Sequence, residues 1–257
     1  MDKPNDQEGN EVTLEMENKI DNKEMLIIDD MMRKMEKEEL SPGSKLPSEN
    51  ELVDRYRVPR ITVRNALVKL EERGYIYSIH GKGRYVKEKA IPIQLPLNGS
   101  TSFTEKMKSM GYDYRAENID FTLIPYHPNL FNRLQANQTD RVYRIGRLRY
   151  MNKEPIAIHY SFVKETDFPN IEVDGPAIQS MFAYYRQQGI KAFSSKRSLL
   201  SVAFPTIDEQ RLLQCKSMVP LIVVETDSYD KENDKLLEYT RILYRSDRFK
   251  YDITIND

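Results

Sequence analysis

A chain of 257 residues exceeds the usual size of one domain, so two domains are expected. The formal net charge of −1 argues against nucleic-acid binding unless positive charge is concentrated in one segment. A single cysteine, Cys215, excludes an internal disulfide, and without a signal peptide or long apolar run the protein is expected to be soluble, cytoplasmic and independent of a membrane.

In chain order, residues 1–18 are polar and acidic with no apolar period, which predicts a disordered tail. From Lys23 to Glu38, Ile27, Ile28, Met31, Met32 and Met35 form a helical stripe. Ser48 and Glu51 stand at capping-box spacing and predict a helix that runs to about Arg57. Val58-Pro59 breaks it, because proline lacks an N–H and disfavours α geometry in the residue before it. A second helix over Arg60–Arg73 buries Val63, Ala66, Leu67 and Leu70, and leaves Arg60, Thr62, Arg64, Asn65 and Lys69 on its outer face or borders. Gly74 is its expected terminator. Two short strands, Tyr75–Ile79 and Arg84–Val86, then flank the tip His80-Gly81-Lys82-Gly83.

Each piece alone is ordinary, but the uninterrupted order of capped helix, tight break, basic second helix and basic-tipped hairpin predicts a winged helix-turn-helix reader of duplex DNA over residues 19–86. The helix would enter the major groove and the hairpin the minor groove. Charge is distributed accordingly: between Ser41 and Ala90 eleven basic residues face six acidic ones. The expected DNA-facing set is Lys45, Ser48, Arg60, Thr62, Arg64 and Asn65, with Gly81, Lys82, Gly83 and Arg84 at the wing.

These residues resemble the DNA-binding domain of the GntR family of bacterial transcription regulators. The resemblance is carried by Leu46-Pro47-Ser48-Glu49, by Val58-Pro59-Arg60-Ile61-Thr62-Val63-Arg64-Asn65-Ala66-Leu67, and by Gly81-Lys82-Gly83-Arg84-Tyr85-Val86. Pro59 stands where the family usually has serine, and Arg84 where threonine is common; the first removes a phosphate contact and the second offers another.

Residues 87–97 hold two prolines and predict an extended, semi-rigid linker. Beyond it, over 98–257, the pattern is mixed α/β. Helices are expected at Phe103–Met110, Asn129–Gln135, Gln179–Gln188 and Ile207–Leu213. Strands are expected at Ala116–Leu123, Arg141–Tyr150, Ile156–Phe162, Lys196–Ala203, Leu221–Asp230 and Leu236–Tyr244. This half is similar to the UTRA effector-binding domain of the HutC subfamily, through Thr101–Met107, Arg147-Leu148-Arg149 with Pro155, Gln179-Ser180, Met218–Leu221, and Glu238 with Tyr244–Arg248. The resemblance implies a chorismate-lyase-like α+β fold that also joins two copies as a homodimer.

Arg147 and Arg149, two apart on a strand, project from one face and suit an anion clamp, although a salt-bridged exposed face is the commoner use of such a pair. Ser102, Phe103 and Thr104 lie at a helix start, where N–H groups favour phosphate. The UTRA resemblance implies that these groups meet around a small phosphorylated effector, with Ser180 donating a hydrogen bond and Glu238 and Tyr244 addressing ligand hydroxyls. Members that read amino-sugar phosphates carry an acidic residue where His159 stands and a tyrosine where Phe182 stands. Other sugar phosphates, phosphonates and carboxylates are therefore open. A histidine such as His159 is more often a satisfied, partly buried residue than a ligand contact.

No catalytic constellation competes with this reading. The three histidines, His80, His127 and His159, lack metal-ligand spacing, the GKGR segment opens no helix, and no cofactor is expected. The expectation is a DNA-binding regulator, most simply a repressor, released from double-stranded operator DNA by its effector. A small-molecule enzyme with a nucleic-acid-binding appendage is the remote alternative.

Overall fold

Caps and breaks decide the helices of the N-terminal half. The computed structural model describes residues 23–88, 91–94 and 102–252, and the tail expected over residues 1–18 lies outside them. The chain divides into two units, Met1–Lys89 and Ala90–Asp257. In the first, α1 (residues 23–36) precedes α2 (Glu49–Tyr56) and α3 (Arg60–Glu72), followed by the strands β1 (Ile76–Ile79) and β2 (Gly83–Val86). Ser48 Oγ accepts the Glu51 N–H at 3.3 Å while Glu51 Oε2 accepts the Ser48 N–H at 2.7 Å, closing the capping box. Helix α3 ends in a Schellman motif: the Tyr75 N–H reaches Leu70 O and the Gly74 N–H reaches Glu71 O, both at 3.0 Å. Gly74 sits at φ +80°, a conformation that costs glycine nothing. Ile28, Met31, Leu52, Val63, Ala66, Leu67 and Leu70 close the core between the three helices.

Thr62 departs from the sequence reading. It is only 1% exposed, and its hydroxyl has no hydrogen-bond partner among the described residues, so it belongs to the core and not to the outer face. The reason is helical spacing: Thr62, Ala66 and Leu70 form one i, i+4 row beside Val63 and Leu67, which widens the buried stripe by one position.

The second unit is built on a seven-stranded antiparallel sheet. Its strands are β4 (Tyr114–Ile124), β5 (Val142–Met151), β6 (Glu154–Lys164), β7 (Phe193–Ser194), β8 (Ser198–Ala203), β9 (Leu221–Asp230) and β10 (Leu236–Arg245). The order is β4-β5-β6-β10-β9-β7, with β8 also paired to β9. Around it lie α4 (Phe103–Ser109), α5 (Pro128–Arg133), α6 (Ile171–Asp174), α7 (Met181–Gln187) and α8 (Ile207–Leu213). Alternation assigns the faces. Leu148, Ile158 and Leu243 pack with Leu213 of α8 on one side. On the other side two apolar clusters stand apart. Tyr143, Ile145 and Val163 pack with α7, whereas Ala157 and Tyr244 pack with Phe103 and Met107 of α4.

Two features of this unit were not expected from the sequence. Part of the segment read as a linker is a strand, β3 (Ile91–Gln94), which pairs in parallel with β11 (Phe249–Asp252). The remainder of that segment beyond residue 88 lies outside the described residues. Arg245 is fully buried and structural: its guanidinium grips Asp247 through two bonds (3.1 and 2.9 Å) and donates to the carbonyls of Pro155 (3.0 Å) and Leu213 (2.9 Å). It thereby ties the end of β10 to the start of β6 and the last turn of α8.

The N-terminal core generates a direct expectation. Leu70→Ala should cost about 2–5 kcal/mol, because Leu70 is wholly buried at the junction of the helices and the wing; denaturant titration of the unit's unfolding transition measures it.

Candidate functional site

The outer face of α3 carries Arg60, Arg64, Asn65 and Lys69, all exposed, together with Ile61 at 60% exposure. Gly81, Lys82 and Gly83 are exposed at the tip of the wing, and Lys45, bridged to Tyr85 of β2, is exposed as well. The cations differ in their commitments. Glu49 receives Arg60 at 3.1 Å and Arg84 at 2.9 Å, and Glu71 lies 3.9 Å from Arg84. Arg84 is consequently drawn from the wing towards α2 and α3, and the guanidiniums beside Glu49 hold its carboxyl below the usual range. Among the described residues Arg64 and Lys82 enter no ion pair, so their charge is presented outward undiminished. Ser48 spends its oxygen on the α2 cap. Ile61 was not singled out from the sequence; an aliphatic side chain exposed between arginines is the signal that marks it, since such a group suits a thymine methyl.

In the second unit the sheet register assembles a polar floor between the two apolar clusters. Arg147 pairs across to His159, and Ile145 to Ser161; Ser161 pairs with Thr240, His159 with Ile242, and Thr240 with Thr226. Directly paired residues share a face, so β5, β6, β10 and β9 each contribute side chains to one surface. A cavity of about 120 Å³ stands over it, closed by the first turns of α4 and α7. All ten residues singled out in this half line that cavity.

The arginines are held where solvent cannot reach them, at 2% and 3% exposure. Arg147 donates to Ser161 Oγ, and Arg149 donates to the Tyr114 hydroxyl and, at 2.8 Å, to the Gln179 carbonyl. Burial and the neighbouring Arg149 pull the Arg147 pKa down to about 10, which leaves it charged at neutral pH. Burial, followed by the charges of Arg149 and Arg147, also pushes the His159 pKa well below the ordinary imidazole value. Burial drives the Tyr185 hydroxyl well above its ordinary value, with Glu238 beside it adding to the effect.

Five polar atoms of this floor have no hydrogen-bond partner among the described residues: Arg147 Nε, Arg149 Nε, His159 Nε2, Glu238 Oε2 and Thr240 Oγ1. Unpaired buried groups cost about 1–3 kcal/mol each, so their concentration at one place marks a surface completed by something else. Ser102 and Ser180 are the N-caps of α4 and α7. Each oxygen accepts a backbone N–H, at 3.1 Å from Glu105 and 3.4 Å from Ala183, and each hydroxyl proton remains to donate. Thr104 bonds Tyr114 at 3.2 Å, and the Phe182 ring stacks on Phe193 at 4.2 Å.

Sequence reasoning passed over Ser161, Ser198, Thr226, Asp227, Ser228 and Thr240, which also line the cavity. Their signal was present as polar residues at two-residue spacing in otherwise apolar strands: His159 and Ser161, Thr226 and Ser228, Glu238 and Thr240.

The reader and the polar sheet unit both have relatives. Residues 26–86 match the bacterial regulatory proteins of the gntR family, and residues 109–250 match the UTRA domain. The chain belongs to the GntR family, in the group that carries a UTRA domain. It is a DNA-binding transcription regulator. It is similar to the mannosyl-D-glycerate transport/metabolism system repressor MngR of Escherichia coli K12, with 29% identity across 88% of this chain and 92% of the relative. The repressor NagR of Bacillus subtilis 168 is 28% identical across 88% and 91%. The crystal structure of PhnF from Mycobacterium smegmatis shares the fold, at 22% identity and TM-score 0.57, across 90% of this chain and 98% of that one.

Two buried guanidiniums whose Nε atoms find no partner among the described residues are a liability to the fold. Arg147→Met should therefore leave the thermal midpoint unchanged or raise it, which differential scanning fluorimetry reads.

Proposed function

We propose that this regulator is a homodimeric repressor that leaves its operator when a small phosphorylated metabolite, most simply a sugar phosphate, occupies the polar cavity of its second unit. The observation that carries the reading is the pair of buried guanidiniums, Arg147 and Arg149, facing a cavity whose other side offers Glu238, Thr240 and several hydroxyls. A cationic end suits a phosphate through charge-assisted hydrogen bonds, and an acidic, hydroxyl-rich end suits the hydroxyls of a sugar. The similarity to MngR, a mannosyl-D-glycerate transport/metabolism system repressor, supports the carbohydrate class. A phosphonate or carboxylate ligand would use the same clamp. The role is sensing in the cytoplasm, without turnover.

Dimerisation is assigned to the second unit. Leu200 and Val202 on β8, with Phe204 and Ile207 just beyond it, are exposed apolar residues at one edge of the sheet. An apolar group of this size at an edge strand is the kind of surface that a second copy covers. Two recognition helices would then meet successive major grooves of a palindromic operator, with Arg64 and Asn65 reading bases, Arg60 and Lys82 at phosphates, and Ile61 against a thymine methyl.

Mobility-shift titration of the regulator's own promoter fragment tests the reading. Glucose 6-phosphate and other sugar phosphates should release the complex, while the parent sugars should not; release by the sugars alone, or by none of the panel, overturns it. Arg64→Ala should weaken operator binding by about 1–3 kcal/mol and binding to random duplex much less, as fluorescence anisotropy would register. Val202→Asp should shift the sedimentation coefficient from dimer to monomer.

A further inference from the structure

His159 occupies a position that neither the clamp nor the sugar-facing end explains. It lies directly across from Arg147 in the β5–β6 register and beside Ile242 of β10, on the cavity floor. At 5% exposure it is buried, and its Nε2 has no partner among the described residues. Its ring is fixed by two aromatic neighbours set edge-on, Phe103 at 5.1 Å and Tyr244 at 5.7 Å. The imidazole is thus held rigidly beside two cations, with no hydrogen bond at Nε2 to justify the placement.

Resting on the reading of the cavity as an anion site, we propose that His159 becomes a third cationic donor to the bound anion, taking a proton from solvent as the ligand enters. The charged and titratable groups around it are Arg147 and Arg149 from β5, Glu238 and Tyr244 from β10, Asp227 from β9, Tyr114 from β4 and Tyr185 from α7. In the empty cavity the two guanidiniums repel a third positive charge, and burial denies it solvation. A dianion cancels that repulsion, and the balance at His159 reverses. The step forms one N–H bond on the imidazole, the proton comes from water or buffer, and no other bond changes. Arg147, pulled down only to about 10, keeps its proton near neutral pH and contributes no uptake. The consequence for specificity is that dianions are preferred over monoanions such as carboxylates, because only a dianion offsets the charge of the clamp well enough to admit another cation.

The sign of the pH effect follows from linkage. Where the ligand-free form holds His159 neutral and the bound form holds it charged, one proton enters with each ligand, and the association constant falls by about tenfold for each pH unit of increase. Calorimetric titration of the full chain with sulfate, in buffers of different ionisation enthalpy between about pH 5.5 and 8.5, measures this directly, because sulfate remains a dianion throughout. The expected result is uptake of up to one proton per site and affinity that weakens as pH rises. His159→Gln should bind sulfate with no proton uptake and a flat pH profile. The wild-type measurement is decisive even where that variant folds poorly. In addition, the buried ring of His159 should move to the imidazolium chemical shift on sulfate addition, against exposed His80 and His127 as internal references. Sulfate binding with no proton uptake, or uptake that survives in the glutamine variant, overturns the proposal and leaves the anion site standing. Failure of sulfate and of glucose 6-phosphate to bind at all overturns the anion site and this inference together.

Discussion

Two guanidiniums on the inner face of a sheet are the constraint around which the second unit is arranged. Arg147 and Arg149 project from β5 into a region that the surrounding strands would otherwise fill with aliphatic side chains, as they do at both ends of the same face. Burying two like charges costs several kcal/mol for each ion unless partners are supplied. Here they are supplied incompletely: Ser161, Tyr114 and the Gln179 carbonyl satisfy part of each head group, and the Nε atoms are left over. The two apolar clusters on either side carry the packing, and the polar strip between them keeps its incompletely partnered charge. The short helices α4 and α7 fit this division. Each presents a capped first turn to the polar strip and buries its apolar residues, Met107 in one and Tyr185 in the other, in the flanking clusters.

In the reader, the electrostatics work by selection. Glu49 lies between Arg60 and Arg84 and engages both, so positive charge on that side is fixed in position, whereas Arg64 and Lys82 enter no ion pair among the described residues. An overall charge near zero is therefore compatible with a basic working face. Fixing a long side chain in advance also lowers the conformational entropy lost when it meets a phosphate.

Local signals were readable in the sequence, and nonlocal ones were not. The capping boxes at Ser48 and Ser102, the break at Pro59 and the Gly74 terminus depend on neighbours within a few residues, and the helices begin or end there. Helix α8 was legible to both its ends for the same reason, since Thr206 and Glu209 form a further box. Thr62 was misplaced because the width of a buried stripe depends on what packs against it, which periodicity alone does not contain. The pairing of β3 with β11 joins chain segments more than 150 residues apart, and two prolines in the intervening pattern made an extended linker the simpler reading. The ten cavity residues named in advance came from motif resemblance. The hydroxyls that complete the floor, Ser161 and Thr240 among them, required the register between strands to be known.

Two elements at the start of the second unit are connected with the cavity lining. Ser102 and Phe103 begin α4 and line the pocket. Upstream, β3 pairs with β11, whose first residue, Phe249, stacks its ring on Tyr244 at 4.1 Å, and Tyr244 is itself a cavity residue. Linkage sets the requirement on such a connection. An effector shifts the operator equilibrium only through contacts that differ between the two states, and operator binding must then weaken effector binding by the same factor. The α4 cap and the Tyr244–Phe249 stack are the contacts to examine for that difference, because Ser102, Phe103 and Tyr244 line the cavity and Phe249 belongs to the strand paired with β3.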